Sequence, residues 1–471
     1  MTVEAAAAIA ANRFGLGARP GELAAAGADP RGWLKAQLRG GAPLLQLEEL
    51  QSTAQIVSGA EPILAERRAA RRAAPPGDTA DGDSPAINAL AMRLPQYLRP
   101  IYQADSRARW RAAIDSERPL MERLVHFWSN HFAVSVDKQA VLGIAGSFER
   151  EAIRPHVTGR FRDLLLAVET HPAMLLYLDN QQSVGPDSEL ARRAAGHGRS
   201  LGLNENLARE ILELHTLGVD AGYTQADVTS FARVLTGWSL GGGEGRLAGG
   251  TPGTFLFRAN LHQPGTQTIL GKRYTEAGQA QGCAVLSDLA AAPATARHIA
   301  LKLARHFIAD DPPPTAVEQL ARAYLRSGGD LPTVYDTLID APQAWDEAAV
   351  KFKTPQDYLF SIGRGLQLPP QSERRLMNAF DALGQRPFAP GSPAGWPDRS
   401  SDWDGAAALM KRIELSDAVA QKLGDRRDAL ELASQLLGGA LTAQTRQSIT
   451  RAASPSQALA LLLTAPEFLR R

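Results

Sequence analysis

The chain has 471 residues, of which 44% are hydrophobic and 21% are charged, and these proportions exclude a fibrous, coiled-coil or globally disordered protein. Its 51 lysines and arginines face 50 acidic residues, so a net charge of +1 gives no overall attraction to nucleic acid or to an anionic membrane. At this length, one oversized domain and two closely packed lobes are both allowed.

Cross-linking and targeting signals are sparse in the sequence. Cys283 is the only cysteine, which excludes an intramolecular disulfide framework and any site that needs several thiolates. The stretch from Met1 to Ala11 lacks the basic segment of a secretory signal, and no apolar run approaches the roughly 18 residues of a membrane helix. The sequence therefore predicts a cytoplasmic protein without a membrane span.

Four segments follow one another along the chain. Residues 1–65 predict an N-terminal helical segment packed on the core, whereas residues 66–86 are polar and rich in Pro and Gly, which predicts a flexible surface loop. Residues 87–240 are helical almost throughout, and residues 241–471 combine a β-hairpin with further helices. We expect all four segments to form one continuous domain.

Strand character is confined to residues 254–274. The runs Thr254–Arg258 and Thr268–Tyr274 predict a small β-hairpin that turns around Gln263-Pro264-Gly265. Polar insertions at 181–200 and 241–253 interrupt the helices before it. The predicted fold class is therefore mainly α, a large multi-helix domain with a small β-hairpin near residues 254–274 and polar loop insertions.

The most informative segment, residues 204–238, predicts a helical hairpin with a start and a stop signal at each helix. Asn204 can cap the first helix, and Gly218 can supply the left-handed residue that ends it. After a turn at Tyr223, the capping box from Thr224 to Asp227 begins the second helix.

On a helical wheel, the first helix of this hairpin has a charged stripe and an apolar face. Glu205, Arg209 and Glu213 fall within an arc of about 80°, and Glu210 lies at the edge. His215 falls in the middle of the apolar face, which predicts a buried imidazole. One interpretation of the stripe is a solvated ladder of i,i+4 salt bridges, which contributes little to stability.

The alternative interpretation of the same helix is a catalytic site. A partly buried Glu210 and an imidazole of His215 in apolar surroundings are settings that shift a pKa toward proton transfer. In this hypothesis Glu210 is the general base or a metal ligand, and His215 is its acid–base partner. Arg209 holds an anionic substrate group, and Glu213 completes the catalytic set.

A second group of polar residues lies on the helix that Pro119 opens. His126 and His131 diverge by about 140° around this helix, so the two do not chelate one metal ion together and at most one of them joins a given site. His131 with Glu210 and His215 is the candidate set for a divalent metal, the only cofactor that the sequence suggests. Each histidine has a second interpretation as a core residue.

The remaining candidate residues are Glu205, Asn206, Tyr223, Asp227 and His262. His262, on the predicted β-hairpin, could complete a site with Glu210 or His215, or it could serve only as a turn residue. The chain has no HExxH, phosphate-loop, dinucleotide-binding or nucleophile-elbow motif, so the enzyme classes that those motifs define have no support.

A series of short stretches carries a family resemblance. They are Arg13–Gly17, Phe127–Phe132, Phe161–Leu165, Pro172–Asn180, Asn204–Gly218, Tyr223–Val228, Thr236–Trp238, Lys353–Pro355, and Gly395–Pro397 with Trp403. Together they resemble the domain-of-unknown-function 1800 family over nearly the whole chain. The resemblance implies a predominantly helical fold and carries no established reaction, substrate or cofactor.

The same resemblance implies a partner. Such proteins are commonly encoded beside members of the domain-of-unknown-function 1501 family, which look like alkaline phosphatase or sulfatase relatives and are often exported folded. A chain without its own signal could reach the periplasm with this partner, which is an alternative to the cytoplasmic prediction. The resemblance also leads us to expect an acidic residue after His262, where this chain has Gln263, and this weakens a metal role for His262.

Two functions follow from the sequence. The first is an enzyme with an acid–base or metal site on the 204–238 helical hairpin. The second is a non-catalytic accessory or export partner of the phosphatase- or sulfatase-like protein. In the second, the charged stripe is an interface, and Trp238 and Trp396 are candidate anchors.

Overall fold

Helices form most of the protein, as the sequence predicts. The computed structural model describes residues 2–45, 47–73, 85–219, 221–242, 248–348, 351–369 and 372–471. Within these ranges the α-helices are α1 (Val3–Ile9), α2 (Glu22–Ala26), α3 (Pro30–Gln37), α4 (Thr53–Ala73), α5 (Pro85–Asp115), α6 (Pro119–His131), α7 (Ala145–Phe148), α8 (Phe161–Glu169), α9 (Pro172–Tyr177), α10 (Glu189–Ala195), α11 (Asn206–Glu210), α12 (Gln225–Leu235), α13 (Gln279–Ala291), α14 (Pro293–Phe307), α15 (Pro314–Ser327), α16 (Leu331–Asp340), α17 (Pro355–Gly365), α18 (Glu373–Leu383), α19 (Ala406–Leu423), α20 (Ala429–Leu437), α21 (Ala443–Thr450), α22 (Pro455–Leu463) and α23 (Pro466–Leu469). The mainly α fold class is confirmed.

Two small antiparallel sheets supply the strands of the described residues. β1 (Trp238–Leu240) pairs with β2 (Phe255–Phe257), and β3 (Gln267–Ile269) pairs with β4 (Lys272–Tyr274). The small hairpin is confirmed, but its predicted turn at residues 263–265 is wrong. The chain reverses at Leu270-Gly271, where both residues have positive φ as a tight hairpin turn requires. Short apolar runs do not specify which run pairs with which, because the strand period alone sets no partner.

The loop predicted at residues 66–86 is also partly wrong. α4 continues to Ala73, because the alanines and arginines at its end are strong helix formers. Residues 74–84 of the predicted loop lie outside the described residues. Pro85 then opens α5, at a position where its missing N–H has no helical acceptor to bind.

Buried apolar side chains form two main clusters. Core 1 joins most helices from α1 to α16, with Trp128 and Trp238 among its largest fully buried side chains. Core 2 joins the C-terminal helices to part of α5, with Tyr358 and Phe380 at its centre. Trp396 packs against both cores. The division into four segments stays a prediction.

Three π-helical turns lie within the described helices, at Ala10–Phe14, Glu149–Ile153 and Ile211–His215. A π turn adds one residue to the helical turn, which leaves nearby carbonyl groups without their usual amide partners. Each of these turns carries a buried ionisable side chain, namely Arg13, Glu149 and His215. Two of the three belong to the sites described next.

Candidate functional site

The helical hairpin predicted at residues 204–238 forms, with a π turn inside its first helix. Gly218 has a φ of 93°, so the left-handed residue predicted there is confirmed. The capping box of Thr224 and Asp227 is confirmed as well. The N-cap position of the first helix is Glu205, whose side chain forms no capping hydrogen bond, whereas Oδ1 of Asn204 accepts a hydrogen bond from the amide of Asn206 at 2.9 Å, as a capping side chain does.

Glu205 joins the two helices of the hairpin. Its Oε2 lies 3.4 Å from NH2 of Arg209 and accepts a hydrogen bond from Nε2 of Gln225 at 2.8 Å. Its Oε1 accepts a hydrogen bond from the hydroxyl of Thr229 at 2.7 Å. The Glu205–Arg209 pair of the charged stripe is therefore an i,i+4 pair on one helix that is tied to the second helix through Gln225 and Thr229.

His215 is buried as predicted, and its partner comes from α8. Nδ1 of His215 lies 2.7 Å from Oε1 of Glu169, while Oε2 of Glu169 has no hydrogen-bond partner. Glu210 lies half-buried near this pair, and burial raises its pKa, which Glu213 raises further and His215 lowers. The structure thus brings Glu210 and His215 together and adds Glu169, which sequence reasoning missed.

Two further histidines bind carbonyl groups in the last turn of the first helix of the hairpin. Nε2 of His131 lies 3.2 Å from the carbonyl of His215, and Nε2 of His298 lies 3.0 Å from the carbonyl of Leu214. A carbonyl only accepts, so both rings carry their hydrogen on Nε2. Burial lowers the pKa of His131 well below its usual value and that of His298 to about 4, which keeps both rings neutral near pH 7.

The other predicted residues have local partners. Asp227 also accepts a hydrogen bond from the amide of Leu270 at 2.6 Å, which ties the β3–β4 turn to α12. Nδ1 of His262 lies 2.9 Å from the carbonyl of Thr236, just after the end of α12. Of the two remaining predicted residues, Asn206 is exposed, and Tyr223 is half-buried and packs against core 1.

The candidate metal set of His131, Glu210 and His215 stays a prediction. In the part of the chain that the structure describes, no group of three or more His, Cys, Asp or Glu side chains is arranged to hold a metal ion. The ring centroids of His131 and His215 are 6.3 Å apart, and each ring has one nitrogen bound to a protein oxygen.

A cleft opens between core 1 and core 2. Its walls come from the C-terminal half of α6, the first turn of α17, and the loop that carries Trp396 and Trp403, and its cavity volume is about 90 Å³. Three stretches that carry the family resemblance border it: Phe127–Phe132, Lys353–Pro355 and Gly395–Pro397. Segments that are far apart in the sequence therefore meet at one cleft.

Both His126 and His131 border this cleft, which differs from the expectation that only one would join a given site. The lining residues of α6 run from Ser129 through His126 to His131, an arc of about 200° on the helical wheel. The cleft therefore wraps around the end of the helix, and residues on diverging faces reach it.

His126 is the unusual residue of the cleft. Both of its ring nitrogens are buried, and neither has a hydrogen-bond partner. Burial, reinforced by Arg109, Arg154 and Arg123, lowers the pKa of His126 well below its usual value. The ring is therefore neutral near pH 7 and offers one donor and one acceptor, with only the ring of Phe360 stacked nearby at 4.9 Å.

A buried charge network lies beside His126. Glu149 accepts hydrogen bonds from Nε of Arg109 at 2.7 Å and from the hydroxyl of Ser129 at 2.8 Å. Arg154 bridges Glu149, at 3.2 Å, to Glu122, which it binds through two hydrogen bonds of 3.0 and 2.8 Å. Burial pushes the pKa of Glu149 upward, but Arg109 and Arg154 outweigh it and hold the pKa below its usual value.

A second charge network lies at the first turn of α17. Asp357 is 3.3 Å from NH1 of Arg123 and 3.1 Å from Nε of Arg471. The N–H of Arg471 Nε does not point at the carboxylate, so this nitrogen forms no hydrogen bond. Burial raises the pKa of Asp357, but Arg123, Arg471 and Lys353 together lower it below its usual value.

Sequence reasoning missed most of the residues at the cleft, among them Glu149, Asp357, Gln356 and Arg471. None of them belongs to a short motif, and they come from three segments that are far apart in the sequence. The signal that existed was the resemblance of Lys353–Pro355 and Gly395–Pro397, which mark two of the cleft walls without naming a chemical role.

Fold and site together define a mainly α-helical protein with a cleft of charged and apolar side chains between two apolar cores. The chain belongs to the family described as "Protein of unknown function (DUF1800)", whose model matches residues 9–470. No curated protein and no solved structure matches it. Among the described residues, no helix has the length and apolar character needed to cross a membrane.

Proposed function

We propose that this protein is an enzyme that performs acid–base catalysis on a small polar substrate in the cleft between core 1 and core 2. The observation that carries the proposal is His126, a neutral imidazole at the cleft with two buried nitrogens that no protein group binds. Leaving buried polar atoms unpaired costs about 1 to 3 kcal/mol each, so a histidine that served only packing would pair at least one of them. A bound substrate supplies the missing partners, and the free acceptor nitrogen takes its proton.

The predicted hairpin residues support the cleft from behind in this proposal. Glu169 orients His215, and the carbonyl of His215 orients His131, whose Nδ1 is left as an acceptor at the cleft. Glu210 is a second candidate base, supported by the raised pKa that its burial causes. If Glu210 is the base, the reaction takes place on the hairpin, and Arg209 and Glu213 belong to the catalytic site there.

A substrate screen with three variants tests the proposal. Small esters, amides, phosphomonoesters and hydroxy acids are incubated with the wild type, His126→Gln, Glu210→Gln and the control His197→Gln, which changes an exposed loop histidine. We expect turnover of at least one substrate class, lost by about a hundredfold or more in His126→Gln and unchanged in the control. Loss confined to Glu210→Gln would move the site to the hairpin, and turnover of no class would count against an enzyme.

A separate observation favours the accessory function. On α19, Leu409, Met410 and Ile413 lie within about 100° of one another on the helical wheel and are 36%, 54% and 40% exposed. Such an apolar stripe is typical of a protein interface. The partner in this second proposal is the phosphatase- or sulfatase-like protein that the family resemblance implies.

Co-purification with that neighbouring gene product tests the second proposal. Met410→Glu combined with Ile413→Lys is expected to abolish association, whereas Leu325→Lys, at an exposed leucine on α15, is the matched control. Association that survives the double change would remove the support that α19 gives. Failure of the wild type to associate at micromolar concentration would remove the proposal.

A further inference from the structure

The unpartnered side-chain atoms at the cleft are all nitrogens. Nε2 of Gln356, Nε of Arg471 and both ring nitrogens of His126 are buried without a hydrogen-bond partner, and all three residues line the cleft. Every lining residue is described by the structure, and none of them has a buried side-chain oxygen without a partner. Three lining residues, Gln356, Arg471 and His126, therefore have a buried donor without a partner, and the free ring acceptors are one nitrogen of His126 and Nδ1 of His131.

The charges at the cleft favour the same kind of ligand. Its lining has an excess of cationic over anionic side chains: Arg109, Lys302, Lys351, Arg399 and Arg471 against Glu149, Asp357 and Asp398. Each of these cations has an acidic partner, and two of the partners, Asp310 and Asp311, are not among the lining residues, so the lining itself is cationic although the ion pairs balance overall.

The first turn of α17 adds to this potential. Thr354, Gln356 and Asp357 at the N-terminus of this 11-residue helix line the cleft, and the N-terminus of a helix carries partial positive charge. The backbone amides there are already bound, that of Gln356 by Gln385 at 2.8 Å and that of Asp357 by Thr354 at 3.1 Å. The side chains of Gln356 and Arg471 are therefore the donors that remain.

The size of the cleft limits what enters it. Its cavity volume of about 90 Å³ is smaller than the roughly 150 Å³ cavity that holds a benzene ring. A carboxylate or phosphate group fits inside, whereas the body of a larger ligand has to lie at the mouth. Trp396, half-buried, and the exposed Pro397 and Arg399 mark that mouth.

We infer that the cleft binds the oxyanion head group of its substrate, a carboxylate or a phosphate, between Gln356, Arg471 and His126, with an apolar or aromatic body against Trp396. This inference rests on the proposed function for the statement that the ligand is a substrate. The binding itself needs no catalysis.

Titration calorimetry at low ionic strength tests the inference with four probes: benzoate, phenyl phosphate, inorganic phosphate and the neutral benzamide. We expect benzoate or phenyl phosphate to bind at least tenfold more tightly than benzamide, and their ranking identifies the head group. Raising the salt concentration to 0.5 M is expected to weaken the binding of the anions and to leave the affinity for benzamide unchanged. Binding of benzamide as tight as that of both aromatic anions, or no binding by any probe, would overturn the inference.

Gln356→Leu is the variant that reports the head-group contact. It removes a buried donor that has no partner in the free protein, so the fold is not weakened. Gln343→Leu is the matched control, because Gln343 also has an unpartnered side-chain atom but lies outside the cleft. We expect about a tenfold loss of anion affinity in the first variant and none in the control, and equal affinities would contradict the head-group site.

The outcomes separate this inference from the proposed function. Anion binding that depends on Gln356, together with turnover that His126→Gln retains, would leave the inference standing and remove the acid–base role. Turnover that requires His126, together with equal affinity for benzoate and benzamide, would support the acid–base role and remove the inferred oxyanion site.

Discussion

Oε1 of Glu169 lies 2.7 Å from Nδ1 of His215, and both side chains are almost fully excluded from solvent. The same histidine accepts the Nε2 hydrogen of His131 on its main-chain carbonyl at 3.2 Å. A row of three residues on α8, the π turn and α6 therefore leads from the interior to the cleft. Each member fixes the orientation of the next.

Replacing Glu169 with leucine leaves a buried imidazole without its partner, and we expect the free energy of unfolding to fall by about 3 to 5 kcal/mol. Glu169→Gln keeps an oxygen that accepts the Nδ1 hydrogen of His215 and is expected to lose only about 1 to 2 kcal/mol. Urea denaturation measures both. Glu213→Leu, at a half-exposed glutamate, is the control, and its free energy of unfolding is expected to change by no more than about 0.5 kcal/mol. A similar loss in all three variants would contradict the Glu169–His215 pair.

The buried arginine network makes a second stability prediction. Arg154→Met leaves the buried carboxylate of Glu122 without a cationic partner and leaves Glu149 with Arg109 as its remaining one, and we expect a loss of about 3 to 5 kcal/mol. Arg193→Met breaks the exposed i,i+4 pair with Glu189 and is expected to change stability by less than about 0.5 kcal/mol. Thermal unfolding of the two variants side by side checks the contrast, which equal melting temperatures would refute.

Four histidines that are buried or partly buried make the fold sensitive to acid. Burial lowers the pKa of His298 to about 4 and the pKa values of His126, His131 and His306 well below their usual value. Such a histidine binds fewer protons in the folded state than in the unfolded chain. Its stabilisation of the fold is complete above the unfolded pKa of about 6.5 and is lost as the pH falls from there toward the folded pKa.

We therefore expect the free energy of unfolding to fall between about pH 6.5 and pH 4. Asp105 acts in the opposite direction over about pH 6 to 4, because burial raises its pKa to about 6 and the folded state takes up its proton first. His298→Gln keeps a donor for the carbonyl of Leu214 and cannot titrate. Urea denaturation at several pH values should show a smaller loss in this variant than in the wild type, and parallel curves would contradict the assignment.

Asn130 holds the tryptophan loop against α6. Its Nδ2 donates to the carbonyl of Trp396 at 3.0 Å, and its Oδ1 accepts from the amide of Trp396 at 2.7 Å. Asn130→Ala removes both bonds, and we expect faster hydrogen exchange at residues 395–397 and weaker binding of aromatic anions at the cleft. The control is Asn206→Ala, at an exposed position on the hairpin, and unchanged exchange in Asn130→Ala would show that other contacts hold the loop.

Local patterns predicted much of the helical hairpin at residues 204–238. The capping box at Thr224, the left-handed Gly218 and the buried face of His215 all depend on residues within a few positions of one another, so the sequence carries them directly. The π turn was not predictable, because the helical wheel assumes a constant turn of about 100° per residue. The carbonyl groups of Leu214 and His215 lie in this last turn of the helix and accept hydrogen bonds from His298 and His131.

The sequence by itself determined the helical class, the residues at which the helices of the hairpin start and stop, and the burial of His215, since periodicity and capping are short-range properties. Only the tertiary structure decided which groups meet: Glu169 with His215, Arg154 with Glu122, and Gln356 and Arg471 with His126 at the cleft. These pairs join segments tens to hundreds of residues apart, and their meeting depends on how two apolar cores pack. No local pattern encodes that packing, because it is set by the summed burial of side chains along the whole chain.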